Sequence, residues 1–331
     1  MMGGRRNLLR LLGGGLAAAA LPFALAAQSP KRIGVIHWRG SFMGRTMSGG
    51  IAFTEAMKEL GYREGRDYIY DERAWEKQEE AAELARQLVA LKADVIIAAT
   101  PPSILAAKAA TDRVPIVMMY SAEPVAMGYV RSLNRPGGNI TGLTWDHGFE
   151  TNLKALELLK ETLPRIRRVA LIWDATDTVH PVYARYYEKA APQVGLRLVS
   201  VPVRQMDDLE PAFARIAKER ADALVILPSG QLTVPRRLEI LALAVRGRIP
   251  TLFAAIGRDT PGALLQHGPN LANMPRRAAA YVDRILKGAK PADIPVEQPD
   301  KYDLVVDLTT ARMLGIKVPN SILVRADRVI Q

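Results

Sequence analysis

The sequence contains no cysteine. That absence excludes disulfide bonds, thiolate nucleophiles, metal sites with cysteine ligands and a lipid anchor attached through cysteine. Histidine is also scarce: the chain has four, and no two of them show His-x-His or His-x-x-x-His spacing. These histidines are His37, His147, His180 and His267. We therefore expect neither a metal nor a cofactor, and an isolated histidine such as His37 is more often a hydrogen-bonding residue than a catalyst.

The sequence also lacks the short motifs of common α/β enzymes. It has no Gly-x-Ser-x-Gly nucleophile elbow and no Gly-x-Gly-x-x-Gly after a predicted strand, and Arg39–Gly44 lacks the Gly-Lys-Ser/Thr ending of a P-loop. Enzymatic activity is therefore not expected. An exported α/β enzyme stays an alternative, because the fold class predicted below also supports catalysis, and turnover of a bound ligand would decide the question.

The N-terminus has the features of a secretory signal. Residues 1–27 begin with a basic segment containing Arg5, Arg6 and Arg10, continue as an apolar stretch and end in a small-x-small cleavage site at Ala24–Ala26. The adjacent Arg5 and Arg6 resemble a twin-arginine signal, which predicts export to the periplasm. The alternative is an uncleaved membrane anchor. The apolar stretch is only 17 residues long and is interrupted by proline, which is short for a span of about 20 residues.

The chain is basic, with 45 Lys and Arg residues against 34 Asp and Glu residues, a formal net charge of +11. Removal of the three signal arginines leaves 42 basic residues and a net charge of +8 (42 minus 34). The basic residues are scattered among acidic ones, without a run of five or six. We therefore expect a solvated basic surface and no binding to nucleic acid.

The rest of the sequence contains one pattern twice. Each copy begins with a short apolar strand, at Arg32 in one and at Arg168 in the other, an offset of 136 residues (168 minus 32). Each copy also contains a third strand introduced by Ala-Asp and a fourth introduced by proline. The fourth strands begin at Val114 and Ile249, an offset of 135 residues (249 minus 114). So constant an offset indicates a duplicated unit.

Alternating strands and helices predict parallel sheets, because a parallel crossover requires a helix-length connection. The predicted fold is therefore α/β, with two similar doubly wound lobes and a ligand cleft between them. The first lobe is predicted to span residues 31–143 and the second residues 144–262. We expect residues 263–290 to return to the first lobe and residues 300–331 to the second.

Ligands of open α/β sheets bind beyond the carboxyl ends of the strands, so two facing lobes predict one shared cleft. The residues that follow the predicted strands include three of the four tryptophans, which suggests an aromatic-walled pocket with a few polar anchors. For Trp38 and Trp173 the alternative is that each merely covers the end of its sheet. The candidate ligand-binding residues are Trp38, Ser41, Thr100, Ser103, Tyr120, Ser121, Glu123, Trp145, Trp173, Asp174, Thr176, Ser229, Gln231 and Phe253.

Two features of this set suggest an amino-acid-like ligand. Thr100 and Pro101 have the pattern of a helix N-cap followed by proline, so free N–H groups of the next helix could hold a carboxylate. Glu123 and Asp174 are candidates for binding an ammonium group. The alternative is that both acids are solvated loop residues.

Four segments, spread over nearly the whole chain after the signal, resemble those of the ABC transporter substrate-binding proteins, a family that includes tryptophan- and tyrosine-binding members. The element Arg-Pro-Gly-Gly-Asn-x-Thr-Gly is the most specific of them. The four segments are Glu59–Arg66, Asn134–Gly142, Ile285–Pro291 and Leu323–Asp327.

The resemblance implies a type I periplasmic-binding fold with three crossovers between the lobes and hinge closure around the ligand. It also implies delivery to an ABC permease and its ATPase. We expect the protein to be monomeric and, because it has no cysteine, not to be lipid-anchored. Two positions depart from the family: Glu123 and Asn270 stand where aspartate is common. Ligand identity is therefore open. A periplasmic sensory protein that acts through a separate receptor is the alternative function.

Overall fold

The structure is a computed structural model. It describes residues 29–39, 41, 43–145, 148–256, 260–269, 273–299 and 301–331. The predicted signal and twin-arginine pair, together with His147 and Asn270, lie outside these ranges. Within them, no helix is both long enough and apolar enough to cross a membrane.

The first lobe is built on a parallel sheet of five strands in the order β2-β1-β3-β4-β5. The β3 strand, Val-Ile-Ile-Ala, is buried along its whole length because helices cover both faces of the sheet. The elements are β1 (Lys31–Trp38), α1 (Ser48–Glu59), β2 (Tyr68–Trp75), α2 (Ala81–Ala90), β3 (Val95–Ala98), α3 (Pro101–Ala110), β4 (Ile116–Ser121) and β5 (Ile140–Thr144).

The second lobe is built on a sheet of seven strands in the order β12-β11-β10-β9-β8-β6-β7. Neighbouring strands are parallel except β10 and β11, which pair antiparallel. Its elements up to β10 are α4 (Phe149–Thr162), β6 (Arg168–Asp174), α5 (His180–Ala190), β7 (Arg197–Val203), α6 (Leu209–Lys218), β8 (Ala223–Ile226), α7 (Arg237–Arg246), β9 (Thr251–Phe253) and β10 (Leu265–Pro269). After α8 (Met274–Leu286) follow β11 (Tyr302–Asp307), α9 (Leu308–Leu314), α10 (Asn320–Arg325) and β12 (Arg328–Ile330).

The duplication predicted from the sequence is present in the topology. The order β2-β1-β3-β4 in the first sheet corresponds to β7-β6-β8-β9 in the second. Two doubly wound α/β lobes, as predicted, are therefore confirmed. The lobes differ at the far edge, where the first sheet adds β5 and the second adds β10, β11 and β12.

The tail departs from the expectation that residues 263–290 return to the first lobe. The β10 strand stays in the second sheet, where Leu265 pairs with Leu252 of β9. Leu264 and Leu265 are fully buried in the core of that lobe, so the apolar run extends the second sheet instead of leaving it. The α8 helix does pack on α1 of the first lobe, and the Tyr62 hydroxyl donates to Asp283 of α8 at 3.0 Å.

The chain passes between the lobes after β5, after β10 and after α8. Two of the passages are joined to each other, since the N–H of Thr144 donates to the carbonyl of Glu297 at 2.9 Å and the N–H of Glu297 donates to the carbonyl of Gly142 at 3.0 Å. The Tyr302 hydroxyl also donates to the carbonyl of Trp145, at 2.8 Å. These bonds connect the passages as one hinge.

Candidate functional site

A cavity of about 140 Å³ lies where the carboxyl ends of the two sheets face each other. The loops after β1, β3, β4 and β5 form one side, and those after β6, β8 and β9 form the other. Its lining residues are Trp38, Ser41, Thr100, Pro101, Pro102, Tyr120, Ala122, Trp145, Asp177, Val179, His180, Tyr183, Pro228, Gly230, Gln231, Val234 and Ala255.

Six of the candidate residues chosen from the sequence line this cavity. They come from the ends of β1, β3, β4, β5 and β8, as the strand-end rule requires. The six are Trp38, Ser41, Thr100, Tyr120, Trp145 and Gln231.

Aromatic side chains form the walls on both sides of the cavity. Trp145 meets Tyr183 of α5 edge to face, with ring centroids 5.4 Å apart and an interplanar angle of 65°. Trp38 of the first lobe approaches Gly230 of the second so closely that a Cβ atom at position 230 would lie 3.1 Å from the Trp38 ring nitrogen. The two lobes are therefore closed on one another. Tyr183 was not among the candidate residues chosen from the sequence.

Four candidate residues of the second lobe lie outside the cavity lining. Asp174 is buried, and its carboxylate accepts hydrogen bonds from the N–H of Thr176 at 2.9 Å, from the Thr176 hydroxyl at 2.6 Å and from the Ser229 hydroxyl. Asp174, Thr176 and Ser229 thus join the loops after β6 and β8 to each other, away from the cavity lining. Trp173 donates its ring N–H to the Ser200 hydroxyl at 2.9 Å and also lies outside the lining.

The remaining four candidates also lie outside the lining. Ser103 is buried, and its hydroxyl accepts from the Trp75 ring N–H at 3.1 Å. Ser121 donates to the carbonyl of Leu143 at 2.8 Å, and Phe253 is fully buried in the second-lobe core. Glu123 occupies a left-handed backbone conformation with φ of +47°. It is not among the cavity residues, so its proposed contact with an ammonium group is not seen.

Among the described lining residues Asp177 is the one carboxylate, and it was not among the candidates chosen from the sequence. One of its oxygens accepts the N–H groups of Val179 and His180 at 2.8 and 3.3 Å, which caps the start of α5. Its other oxygen lies 3.9 Å from the Nε2 atom of His180, beyond hydrogen-bond distance. No described residue donates a hydrogen bond to that oxygen. In the sequence, Asp177 is marked only by its position, three residues after Asp174 and three residues before the first residue of α5.

His180 is a neutral wall residue in this arrangement. Its Nδ1 atom accepts the N–H of Asp174 at 2.9 Å, so Nδ1 carries no proton. The ring proton is therefore on Nε2, which faces the carbonyl of Pro228 at 3.3 Å. Among the described lining residues, Asp177 is then the only charged side chain, and none is lysine or arginine.

The negative charge of Asp177 affects the pKa of a tyrosine in the first lobe. Burial raises the pKa of Tyr129, a residue of the first lobe, and the charge of Asp177 adds to that rise. The Tyr129 hydroxyl is buried and has no hydrogen-bond partner among the described residues. The Asp177 side chain is 20% exposed, and its charge faces the first lobe.

The start of α3 offers fewer free N–H groups than the sequence of Thr100 and Pro101 suggested, so it is less suited to bind an anion. Pro101 and Pro102 are its first two residues and both lack an N–H group. The N–H of Ile104 donates to the carbonyl of Thr100 at 2.9 Å, so Ser103 alone contributes a free backbone donor to this first turn. No cluster of three or more potential metal ligands occurs within the described ranges.

Comparisons with known proteins agree with this architecture. A family model described as "ABC transporter substrate binding protein" matches residues 44–330. A tyrosine-binding protein of Clostridioides difficile is 25% identical over 266 residues, covering 80% of this chain and 76% of its own length. Among solved structures, a conserved domain protein of Vibrio cholerae has a TM-score of 0.82 at 25% identity, covering 91% of this chain and all of its own. A Streptococcus pneumoniae ABC domain in complex with L-Trp has a TM-score of 0.81 at 22% identity with the same coverage. The chain belongs to the family of ABC transporter substrate-binding proteins.

Proposed function

We propose that this protein captures a small ligand with one aromatic ring and an amino group, closes its lobes around it and delivers it to the permease of an ABC importer. The observation that carries the proposal is the composition of the cavity: aromatic walls from both lobes and, among the described lining residues, a single carboxylate, Asp177. Apolar walls with one charged anchor are typical of sites that orient an amphipathic small molecule.

The cavity volume limits the ligand to about one ring. An engineered apolar protein cavity of about 150 Å³ accepts benzene, and the cavity here is about 140 Å³. Trp38, Tyr120, Trp145 and Tyr183 surround this space, so a flat ring can pack face or edge against them. A ring of six atoms with a short chain therefore matches the available space better than a larger polar solute.

The charge of Asp177 favours a ligand that carries a positively charged group. The Asp177 side chain is only 20% exposed, a partly buried carboxylate is stabilised by a positive partner, and none of the described lining residues is lysine or arginine. A ligand ammonium that donates to the free Asp177 oxygen would supply the missing charge. The related proteins support an aromatic ligand as well, since one is named as tyrosine-binding and another was solved with L-Trp.

The role requires no chemical reaction. Contacts with both lobes stabilise the closed form relative to the open one, and a permease can distinguish the two shapes. Export through the twin-arginine-like signal, the periplasmic location, the monomeric state and the direct contact with the permease belong to this proposal. Capture for transport, and not catalysis, is the function that the family and the cavity support.

Isothermal titration calorimetry on the purified protein tests the proposal. We expect saturable heat with phenethylamine-type ligands such as tyramine, together with a change in intrinsic fluorescence, because Trp38 and Trp145 border the cavity. Ring-free amines such as putrescine serve as the control and should give no heat. The proposal fails if no single-ring amine or aromatic amino acid produces a titration at millimolar ligand concentration.

A further inference from the structure

We propose that two buried residues of the first lobe, Trp75 and Ser103, orient the hydroxyl of Thr100 so that it donates a hydrogen bond to an oxygen atom of the ligand. Thr100 touches the ligand, whereas Trp75 and Ser103 act through it as positioning residues. This inference rests on the proposed function, because it concerns the chemistry of the same cavity.

The three side chains form a series of hydrogen bonds that leads from the core of the first lobe to the cavity. The Trp75 ring N–H donates to the Ser103 hydroxyl at 3.1 Å, and the hydroxyl oxygens of Ser103 and Thr100 are 3.0 Å apart. Trp75 and Ser103 are fully buried and lie outside the cavity lining, whereas Thr100 is part of it. The series therefore ends at the space that the ligand occupies.

The first bond fixes the direction of the second. An indole N–H can only donate, so the Ser103 oxygen is the acceptor of the first bond. The Ser103 hydroxyl also has a proton of its own, and a buried donor without an acceptor is costly. Apart from Trp75, Thr100 is the one described partner of this hydroxyl, so Ser103 donates to Thr100. The Thr100 proton then remains for an acceptor in the cavity.

The local conformation of Thr100 agrees with this role. Thr100 is the N-cap residue of α3, where a threonine hydroxyl commonly accepts a backbone N–H of the first helical turn. It makes no such bond here, and its hydroxyl is bonded to the Ser103 side chain instead. Helix capping therefore does not explain the Thr100 hydroxyl, and its removal should cost α3 little stability.

The position of Thr100 specifies where the ligand presents its oxygen. Thr100 belongs to the first lobe and Asp177 to the second, and both line the cavity. A ligand whose amine pairs with Asp177 therefore presents an oxygen to the opposite lobe, and the two contacts together favour closure. A phenol on the ring and a carboxylate both supply an oxygen that accepts a hydrogen bond.

Three ligands with the same ring and amine test the inference by calorimetry. Phenethylamine has no oxygen, tyramine adds a phenol and L-phenylalanine adds a carboxylate. We expect at least one of these oxygens to raise the affinity above that for phenethylamine by about 3- to 10-fold, the range for one hydrogen bond. The ligand that shows the increase identifies which oxygen Thr100 binds.

Ser103→Ala tests the positioning role. It should reduce the increase to about twofold or less, because the Thr100 hydroxyl can then rotate away, while the affinity for phenethylamine stays unchanged. Thr100→Val should abolish the increase, and it keeps the inference testable if Ser103→Ala does not fold, since it leaves Trp75 and Ser103 bonded to each other. Thermal denaturation measures whether each variant is folded.

Ser200→Ala is the matched control. The Ser200 hydroxyl accepts the ring N–H of Trp173 at 2.9 Å in the second lobe, outside the cavity lining. This variant removes the same kind of tryptophan–serine hydrogen bond without touching Thr100, so the increase in affinity should stay as in the original protein.

Two results would overturn the inference while the proposed function stands. The first is that Ser103→Ala lowers the affinities for all three ligands equally, as a purely structural role predicts. The second is that neither oxygen raises the affinity of the original protein, or that Thr100→Val retains the increase. If none of the three ligands binds to the original protein and L-tyrosine also fails, the proposed function itself is wrong.

Discussion

At the scale of single residues, the position of an acid relative to the strand end decides what it does. Asp174 is the last residue of β6, and its carboxylate is saturated by hydroxyl and N–H donors of two loops. Asp177 lies three residues later and keeps one oxygen free at the cavity. The nearer acid therefore stabilises the loops, and the farther one is available to the ligand.

Asp177→Asn should weaken amine binding without unfolding the protein. Asparagine keeps a side-chain oxygen that can cap α5, so the change removes mainly the charge. We expect the affinity for tyramine to fall about 10- to 100-fold, the range for losing a charged hydrogen bond, with little change in melting temperature. Calorimetry and thermal denaturation measure the two effects. Asp207→Asn, at an exposed acid outside the cavity lining, is the control and should change neither.

The two strand-end tryptophans should behave differently. Trp38 lines the cavity, whereas Trp173 packs on the second-lobe core and bonds to Ser200. Trp38→Ala should weaken ligand binding about tenfold, a typical cost of truncating a buried aromatic contact. Trp173→Ala should lower the melting temperature and leave affinity nearly unchanged. Equal losses of affinity in the two titrations would place the pocket elsewhere in the cleft.

At the scale of elements, the repeated strand and helix pattern could be predicted because each apolar run carries its own periodicity. The partner of a strand is not encoded in that periodicity. The apolar residues Ala263–Leu265 lead into β10, and the place of this strand beside β9 depends on the core that Leu264 and Leu265 complete. The site residues divide in the same way. Trp38 and Gln231 were predicted because each follows the end of a strand. Tyr183 was missed because it reaches the cavity from a helix.

β10 also carries a titratable group that should link stability to pH. His267 is buried with its Nδ1 atom unpartnered among the described residues, and burial lowers its pKa to about 4, with a further contribution from Lys154. Unfolding returns the ring to its ordinary pKa of about 6.5, so below that pH the unfolded chain binds the additional proton.

Stability should therefore fall as the pH decreases from about 6.5 to about 4, by roughly 3 kcal/mol from this group. Urea denaturation at a series of pH values measures the effect, and His267→Gln isolates it from titrating carboxylates. The difference in unfolding free energy between the two proteins should change across this interval. A difference that stays constant from pH 7 to pH 4 would show that His267 does not retain its low pKa.

At the scale of the whole molecule, function depends on two lobes that meet around the ligand. The hinge bonds of Thr144, Glu297 and Tyr302 join the passages between the lobes, and Trp38 and Gly230 mark where the lobes touch on the opposite side of the cavity. Closure is favoured when the ligand contacts both walls. A change that prevents closure should therefore weaken binding even if it touches no ligand atom.

Gly230→Val tests this expectation at a residue that also lines the cavity. A Cβ atom at this position would already lie 3.1 Å from the Trp38 ring nitrogen, so the larger valine side chain would collide with Trp38 in the closed form. We expect an unchanged fold and a loss of affinity for tyramine of at least about tenfold, because the closed population is reduced. Small-angle scattering should show contraction on ligand addition for the original protein and none for the variant.

Gly138→Val is the matched control, since a Cβ atom at position 138 would meet no atom within 4 Å. It should bind tyramine and contract like the original protein. If Gly230→Val also contracts and binds normally, the contact between Trp38 and Gly230 is not part of the functional closed state. A loss of affinity with normal contraction would instead mean that position 230 acts on the ligand itself. Scattering at a tyramine concentration that saturates the variant distinguishes the two: contraction that is still absent with ligand bound shows that the valine blocks closure itself.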